Sequence, residues 1–400
     1  MLNSISFLTF AAVLSSIGLV PLASANVLPR VDIQRSAQRC HNPPNTDLDP
    51  QHMSIGASQI RIQISNTFGT TPLPITNAAI SQPASGKAGA QAIQPTTIMG
   101  VTFNGGSESV SIPAGKVVYT DPIDYTVAPL SELTLTMYLA KGQSGNSITG
   151  HPGSRTTTWM QAGSDVNMTS VTGGSTKHWY FVTGVEAWAP SNSSAFVILG
   201  DSITDGRGSD DDSNNRWPDL VLAKMQASPA TQNIGVVNEA AGGNCVLSGG
   251  LGPPLMTRYT RDGITQQGVK YIMIFEGVND IGSGASDTSL IAAFKQIAAD
   301  ARKAGILVFG ATITPLGTSY YSASREAIRQ KVNKWIMASG GVYDAAVDFD
   351  AIVRDSSNPS QLASKYNSGD GLHPNVAGYQ AIANAFPLDI FSKAAPKRKL

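Results

Sequence analysis

Hydrophobic and polar residues alternate along the first half of the chain and follow a different pattern in the second half. Between residues 52 and 189 the alternation has a period of two, as in residues 60–65 and again in residues 133–139. This period places one face of each strand in the core and leaves the other in water, which is typical of antiparallel sheets. No helical period of useful length occurs there. We therefore predict an antiparallel β-sandwich, or a jelly-roll-like domain, over residues 52–189.

The pattern changes after a linker rich in Pro, Asn and Ser at residues 190–194. Short apolar runs then alternate with segments whose hydrophobic residues recur at helical spacing, such as residues 290–301. Apolar runs of this length are typical of strands buried on both faces of a parallel sheet. They lie at residues 195–199, 234–237, 271–275, 306–310 and 345–349. We predict an α/β domain with a doubly wound parallel sheet over residues 194–392.

The first 25 residues have the layout of a secretory signal peptide. They contain no charged side chain, carry an apolar run over residues 7–22, and end in Ala23-Ser24-Ala25. We expect cleavage after Ala25, an N-terminal extension over residues 26–51, and a secreted, extracellular protein. A membrane anchor is the weaker alternative, because Gly18 and Pro21 interrupt the run. No later segment has the eighteen or so apolar residues that a membrane span requires.

Positive and negative side chains are equal in number, so charge gives no reason to expect binding to nucleic acid or to an anionic membrane. Lys+Arg and Asp+Glu number 28 each, so the formal net charge is zero. The basic residues at 393–400 are interpreted as a solvated tail. The length of 400 residues exceeds one compact domain and agrees with two. Nothing in the sequence specifies an oligomeric state.

Several polar residues are interpreted separately from the candidate site. Asn167 and Asn192 each begin an Asn-x-Ser/Thr triplet and are candidates for glycosylation in a secreted protein. The cysteines, Cys40 and Cys245, are too few for a disulfide scaffold or a zinc site, although in an oxidising compartment they form a possible pair. Four histidines outside the candidate site have no partner at metal-ligand spacing and are interpreted as partly buried structural or surface residues: His41, His52, His151 and His178. The acidic run at 210–212 lacks the Gly and distal Glu of a calcium loop, so we expect a solvated loop.

Polar residues follow the predicted strands of the second half. Because the carboxyl ends of parallel strands meet at one edge of a sheet, we expect these residues to lie close together. The segments are Gly200-Asp201-Ser202, Gly242-Gly243-Asn244, Gly277-Val278-Asn279-Asp280 and, in the last loop, Asp370-Gly371-Leu372-His373.

These residue types are those that ester hydrolysis by a serine requires. Ser202 supplies a hydroxyl, and His373 supplies an imidazole that accepts and returns a proton near neutral pH. Asp370, three residues before His373, is placed to hold one tautomer of its ring. The N–H groups of Ser202 and Gly243 and the side-chain amide of Asn279 are candidate donors to a developing oxyanion. The sequence contains no Gly-x-Ser-x-Gly elbow, no nucleotide-binding P-loop and no His-Glu-x-x-His motif, so those hydrolase classes lack their residues.

The four segments, in this order between Gly200 and Pro374, resemble the Ser, Gly, Asn and His blocks of the SGNH (GDSL) hydrolases. The resemblance implies a flavodoxin-like sheet and an esterase, lipase or carbohydrate deacetylase without metal or cofactor. It also implies roles for individual residues. The nucleophile, base and orienting acid are Ser202, His373 and Asp370; the oxyanion hole is Ser202, Gly243 and Asn279; and Asp201 and Asp280 give structural support.

Residues 60–69 and 216–219 extend the resemblance to a secreted, two-domain subgroup that includes acetylxylan esterase-like proteins. We therefore expect the substrate to be a small ester or an acylated polysaccharide, with acetyl as the acyl group. A lipase or broad-specificity carboxylesterase on short-chain esters is the alternative within the same chemistry. A carbohydrate-binding or surface protein without turnover is the alternative of another class.

Overall fold

The computed structural model describes residues 26–27, 36–38, 45–144 and 147–393. The predicted signal peptide, Cys40, His41 and residues 394–400 lie outside the described residues. The sequence pattern of the first half predicts antiparallel strands, and the described part contains short strands throughout. In chain order they are β1 (Asn26–Val27), β2 (Ser36–Gln38), β3 (Asn45–His52), β4 (Ile60–Ser65), β5 (Leu73–Ile75), β6 (Asn77–Ser81), β7 (Met99–Gly100), β8 (Val110–Ile112), β9 (Val117–Tyr119), β10 (Glu132–Tyr138), β11 (Ile148–His151), β12 (Thr158–Ala162), β13 (Gly174–Thr176), β14 (Trp179–Tyr180) and β15 (Val182–Trp188).

These strands pair antiparallel in four sheets. The sheet orders are β1-β15-β4-β9, β13-β12-β3-β10-β6-β7, β14-β11-β2 and β5-β8. Alternate residues of β4 and β10, such as Ile62 and Leu135, are fully buried in one shared core, which agrees with the period of two. In β10, however, Thr134 and Thr136 are buried as well, so the strand has no wet face. The expectation of one solvated face is wrong for this strand, which lies inside the six-stranded sheet.

The second half forms one parallel sheet of five strands. They are β16 (Ser194–Gly200), β17 (Ile234–Asn238), β18 (Val269–Phe275), β19 (Leu307–Ala311) and β20 (Ala345–Val347), in the order β17-β16-β18-β19-β20. Counted along this half, the order is 2-1-3-4-5, that of the flavodoxin-like doubly wound fold. The predicted α/β fold class is confirmed. The last strand ends earlier than predicted, because Asp348 caps a helix by accepting a hydrogen bond from Ala351 N.

Helices flank this sheet. They are α1 (Ser202–Asp205), α2 (Trp217–Gln226), α3 (Leu255–Tyr259), α4 (Val278–Gly282), α5 (Asp287–Lys303), α6 (Gly317–Tyr320), α7 (Ala323–Met337), α8 (Phe349–Val353), α9 (Val376–Ala385) and α10 (Ile390–Lys393). Helix α5 buries Leu290, Phe294 and Ile297 on one face, as its spacing predicts. A π-helical turn covers Thr260–Ile264, and 3-10 turns cover Pro95–Thr97 and Ser364–Tyr366. None of the described helices is both long and apolar enough to cross a bilayer.

Candidate active site

The predicted nucleophile lies at the carboxyl end of the central strand β16. Asp201 is the N-cap of α1, since its Oδ1 accepts a hydrogen bond from Ile203 N at 3.0 Å. Ser202 therefore begins the helix, and it is 7% exposed. Gly200 before it has no room for a side chain, because a Cβ there would lie 2.6 Å from Thr204 Oγ1. Burial, together with the nearby charges of Asp280 and Asp205, raises the pKa of Asp201 to about 7 despite the cap hydrogen bond.

The structure brings Ser202, His373 and Asp370 together from segments 171 residues apart. Ser202 Oγ lies 2.7 Å from His373 Nε2, and His373 Nδ1 lies 2.6 Å from Asp370 Oδ2. The second carboxylate oxygen of Asp370 accepts from the backbone N–H groups of Leu372 and His373, both at 2.9 Å. Asn367 Oδ1 stabilises the same loop by accepting from two further backbone N–H groups, those of residues 369 and 371. The acid and the imidazole are thus held within one tight turn.

Hydrogen bonds and burial set the charge of this pair. Burial would raise the pKa of Asp370, but the hydrogen bonds from His373 and Leu372 outweigh it and lower the pKa to about 2. Burial lowers the pKa of His373 below its ordinary 6.5, and the hydrogen bond and charge of Asp370 offset this only in part. Near neutral pH the pair is therefore a carboxylate and a neutral imidazole. Since the carboxylate faces Nδ1, the ring proton lies there and Nε2 is ready to accept a proton from the Ser202 hydroxyl.

Besides Ser202, the predicted oxyanion-hole residues are Gly243, in the loop after β17, and Asn279, in helix α4. Gly243 follows β17, and this loop lies against the end of β16 because Ala241 N donates to Gly200 O at 2.9 Å. Gly243 has a φ of +72°, and a Cβ there would lie 2.9 Å from the Leu251 side chain, so both the backbone and the space favour glycine. Asn279 lies in α4, and its Nδ2 donates to Asn244 O at 2.8 Å.

Asp280, which is also in α4, joins this helix to the loop that contains Gly243. Its carboxylate accepts from the backbone N–H groups of Val246 and Leu247 at 2.8 and 2.9 Å. Burial raises the pKa of Asp280, and these hydrogen bonds oppose the rise. The predicted support residue therefore holds the loop that contains Gly243 against the helix that contains Asn279.

Arg258 is buried beneath the site, and sequence reasoning did not identify it. Its guanidinium donates to Asn244 Oδ1 at 3.0 Å, to Glu239 O at 2.6 Å, and to Gly200 O at 3.1 Å. It also donates to Glu276 Oε2 at 3.3 Å. Burial raises the pKa of Glu276 well above its ordinary value, although the charge of Arg258 opposes this. Two of these four acceptors are backbone carbonyls, one at the end of β16 and one just after β17, and no local sequence signal marks such a contact.

The N-terminal half contacts the segment that carries Ser202. His151, in β11, is buried, and its Nε2 lies 2.7 Å from Oδ1 of Asp205 at the end of α1. The interpretation of His151 as structural leaves this contact unpredicted, because its partner is 54 residues away. The ring also packs edge-on against Trp179, with the two centroids 5.9 Å apart.

The acidic run at 210–212 is not simply a solvated loop. Asp212 accepts hydrogen bonds from both Thr157 N and Thr157 Oγ1 at 2.7 Å, and its own N–H donates to Arg155 O at 2.8 Å. Lys177 Nζ lies 2.5 Å from Asp211 Oδ2. The loop after α1 therefore binds the N-terminal half, which corrects the expectation from sequence.

The remaining predicted sites are dispersed. Asn167 and Asn192 are exposed, and their glycosylation stays a prediction. Cys245 is buried, and burial raises the pKa of its thiol to about 12; its pairing with Cys40 is a hypothesis outside the described residues. Within residues 45–144 and 147–393, no group of three or more His, Cys, Asp and Glu side chains is arranged to hold a metal ion.

A serine, an imidazole and a carboxylate joined at the carboxyl edge of a flavodoxin-like sheet form an arrangement that is able to hydrolyse esters. Residues 198–381 match the family model described as the GDSL-like lipase/acylhydrolase family. Residues 198–381 thus form a domain of this family, and the domain is that of an esterase or hydrolase.

Solved structures of the same kind are similar to this chain at low identity. A catalytic mutant of an acetylxylan esterase from Geobacillus stearothermophilus is 21% identical, with 50% of this chain and 95% of that chain covered and a TM-score of 0.39. A family two carbohydrate esterase from Clostridium thermocellum is 15% identical, with 88% and 91% covered and a TM-score of 0.37. A lipase/acylhydrolase from Enterococcus faecalis is 19% identical, with 50% and 95% covered and a TM-score of 0.38. No curated protein matches the chain.

Proposed function

We propose that the protein is a secreted esterase that removes short acyl groups, acetyl above all, from polysaccharide through an acyl-enzyme on Ser202. The observation that carries the proposal is the unbroken line of hydrogen-bonding contacts from Ser202 Oγ through His373 to Asp370, at 2.7 and 2.6 Å. This is the arrangement that activates a hydroxyl as a nucleophile.

The reaction follows from that arrangement. Ser202 Oγ attacks the ester carbonyl carbon and its proton passes to His373 Nε2, while the carbonyl oxygen becomes an oxyanion. The oxyanion accepts hydrogen bonds from the N–H groups of Ser202 and Gly243 and from the Asn279 amide. The C–O bond to the alcohol then breaks, and His373 protonates the leaving alcohol. Water attacks the acyl-enzyme, gives its proton to His373, and releases the acid as the proton returns to Ser202 Oγ. Asp370 stays ionised and holds the ring in one tautomer.

The deacetylase proposal rests on the sequence resemblance at residues 60–69 and 216–219. Within the structure, Asn66 and Arg216 of these segments are almost fully buried. Asn66 Nδ2 donates to the backbone carbonyls of Thr71 and Ile112, and Arg216 binds Asp219 at 2.7 Å. In these contacts each residue stabilises its own half of the chain, and neither contact selects a substrate.

A lipase or broad-specificity carboxylesterase is the second candidate. Leu251 packs against Gly243 at the predicted oxyanion hole, and its side chain is 66% exposed. An exposed leucine beside the reacting carbonyl favours acyl groups longer than acetyl, because a longer chain covers apolar surface.

Rates on acetylated xylan and on p-nitrophenyl esters of two to eight acyl carbons separate the two candidates. We expect acetate release from xylan and the highest kcat/KM at two carbons. A kcat/KM that rises with chain length contradicts the deacetylase and supports the lipase. A Ser202→Ala variant with the native circular dichroism spectrum is the control; if it turns over as fast as the native protein, Ser202 is not the nucleophile and both candidates fail. A native protein that hydrolyses none of these esters leaves the binding protein.

Secretion is part of the proposal and is supported by the uncharged, apolar residues 1–25 with their Ala23-Ser24-Ala25 end. Expression of the full chain in a eukaryotic secretion host provides the test. We expect protein in the medium whose N-terminal residue is Asn26, and retention of the uncleaved chain in the cell contradicts the proposal.

A further inference from the structure

The side-chain amide of Asn279 is held at both ends. Its Nδ2 donates one hydrogen to Asn244 O at 2.8 Å, and its Oδ1 accepts a hydrogen bond from the hydroxyl of Tyr320 at 3.2 Å. An amide nitrogen carries two hydrogens, so one remains for a further acceptor. A flipped amide would set its oxygen against the carbonyl oxygen of Asn244 with no hydrogen between them. The two contacts thus specify one orientation of a side chain that is only 6% exposed.

Tyr320 is itself fixed by helix α6, which lies between the two parts of the site. At the start of α6, Gly317 has a φ of +66°, and a Cβ there would lie 3.0 Å from the carbonyl oxygen of Gly371 in the loop of His373. At the end of α6, the Tyr320 ring covers Gly282 of α4 so closely that a Cβ on Gly282 would lie 2.6 Å from the ring. Arg325 Nη1 donates to Tyr320 O at 3.2 Å. Helix α6 therefore contacts both the loop that carries His373 and helix α4, which carries Asn279.

We propose that Tyr320 is a positioning residue of the oxyanion hole: its hydroxyl orients the Asn279 amide so that the second Nδ2 hydrogen faces the oxyanion. This inference rests on the proposed esterase function. A donor that is already oriented costs no reorganisation when charge develops, so it stabilises the transition state more than the bound ester. Without the hydroxyl, Asn279 Oδ1 loses its hydrogen-bond donor and the amide is held only through Asn244.

The test is a double-mutant cycle on kcat and KM for p-nitrophenyl acetate. We expect Asn279→Ala to lower kcat about 100-fold to 1000-fold. Tyr320→Phe keeps the ring over Gly282 and removes only the hydroxyl, so we expect kcat about 10-fold lower with KM within about twofold, the size of one lost neutral hydrogen bond. The double variant is expected to match Asn279→Ala alone, because the hydroxyl acts through the amide. Tyr321→Phe is the matched control, since Tyr321 is adjacent and 49% exposed, and its kcat stays native.

Three results would overturn the inference. They are a native kcat for Tyr320→Phe, effects that multiply in the double variant, and a raised KM with unchanged kcat, which assigns Tyr320 to the lining of the substrate pocket. Inactivation by an organophosphonate gives a second readout, because its phosphoryl oxygen occupies the same hole, and Tyr320→Phe is expected to slow it by the same factor. An unreactive native protein refutes the proposed function itself, whereas a reactive native protein with an equally reactive Tyr320→Phe refutes only this inference. Thermal unfolding of each variant checks that the fold is retained.

Discussion

His373 is subject to opposing influences on its protonation. Burial disfavours the imidazolium and lowers the pKa, the hydrogen bond and charge of Asp370 raise it, and the positive charges of Arg207 and Arg155 lower it again; the net pKa lies below 6.5. Arg207 Nε lies 4.0 Å from Asp370 Oδ2, so its positive charge also lies close to the carboxylate that orients His373. A base with a depressed pKa is deprotonated, and so competent, over a wider range of pH.

We predict that kcat/KM on an acetate ester rises with pH and that the midpoint of the rise lies below 6.5. In Asp370→Asn the influence that raises the pKa is lost, so the midpoint moves to lower pH. The plateau falls by about 10⁴-fold, since the amide selects the wrong tautomer of the ring. The full pH profile of both proteins provides the measurement. A native midpoint above 6.5, or a move to higher pH in Asp370→Asn, contradicts the description of His373.

The residues that the sequence predicts at the site are marked by local patterns, whereas the contacts that it does not predict carry no such mark. Ser202 and Asn279 each belong to a short polar segment directly after a strand, and His373 belongs to a similar segment in the last loop. Local patterns therefore identify all three. The contacts of Arg258 with Asn244, of Tyr320 with Asn279 and of His151 with Asp205 join residues that are 14, 41 and 54 positions apart. Such contacts exist only once the chain has folded, and no spacing rule encodes them.

At the scale of elements, the loop between α1 and α2 connects the two halves. Asp212 adopts a φ of +55° and places its carboxylate on the N–H and hydroxyl of Thr157, which is 7% exposed. A Cβ on Gly89 would lie 2.2 Å from the same carboxylate, so a glycine at this position of the N-terminal half leaves room for the Asp212 side chain. The sequence predicts a solvated loop here because the acidic run lacks the Gly and distal Glu of a calcium loop, yet composition cannot show what an acidic loop binds.

Replacement of Asp212 by Ala is predicted to destabilise the protein by about 1–3 kcal/mol. The loss leaves a buried N–H without an acceptor, and Ala at a positive φ adds strain. Asp210→Ala is the control, because Asp210 is exposed and bonds Asn215, which lies in the same loop; its change should stay within about 0.5 kcal/mol. Urea titration of both variants measures their free energies of unfolding. If Asp212→Ala loses no more stability than Asp210→Ala, the contact of Asp212 with the N-terminal half does not stabilise the protein.

At the scale of the whole molecule, the two halves contact each other close to the candidate active site. Ser54 Oγ donates to Val236 O at 2.7 Å, and His151 contacts Asp205 of α1. Arg155 of the N-terminal half lies near enough to lower the pKa of His373. The change from a period of two to alternating apolar runs and helical spacing predicts both architectures from sequence. It cannot predict how they pack, since surface residues set that contact.

We predict that Arg155→Met raises the pH midpoint of kcat/KM, because a positive charge that lowers the pKa of His373 is removed. Lys116→Met is the control, since Lys116 is an exposed lysine of the same half and is not among the charges that act on His373. Its midpoint should equal the native value. An unchanged midpoint in Arg155→Met would show that the N-terminal half does not influence the base.

The central claim is that the hydroxyl of residue 202, activated by His373, forms the covalent intermediate. Mass spectrometry of tryptic peptides after treatment with an organophosphonate tests it most directly, with Ser202→Ala and His373→Ala treated in parallel. We predict one adduct, on Ser202, that is absent from Ser202→Ala and forms far more slowly in His373→Ala. An adduct on any other residue, or a Ser202→Ala protein that still hydrolyses esters at the native rate, would contradict the account.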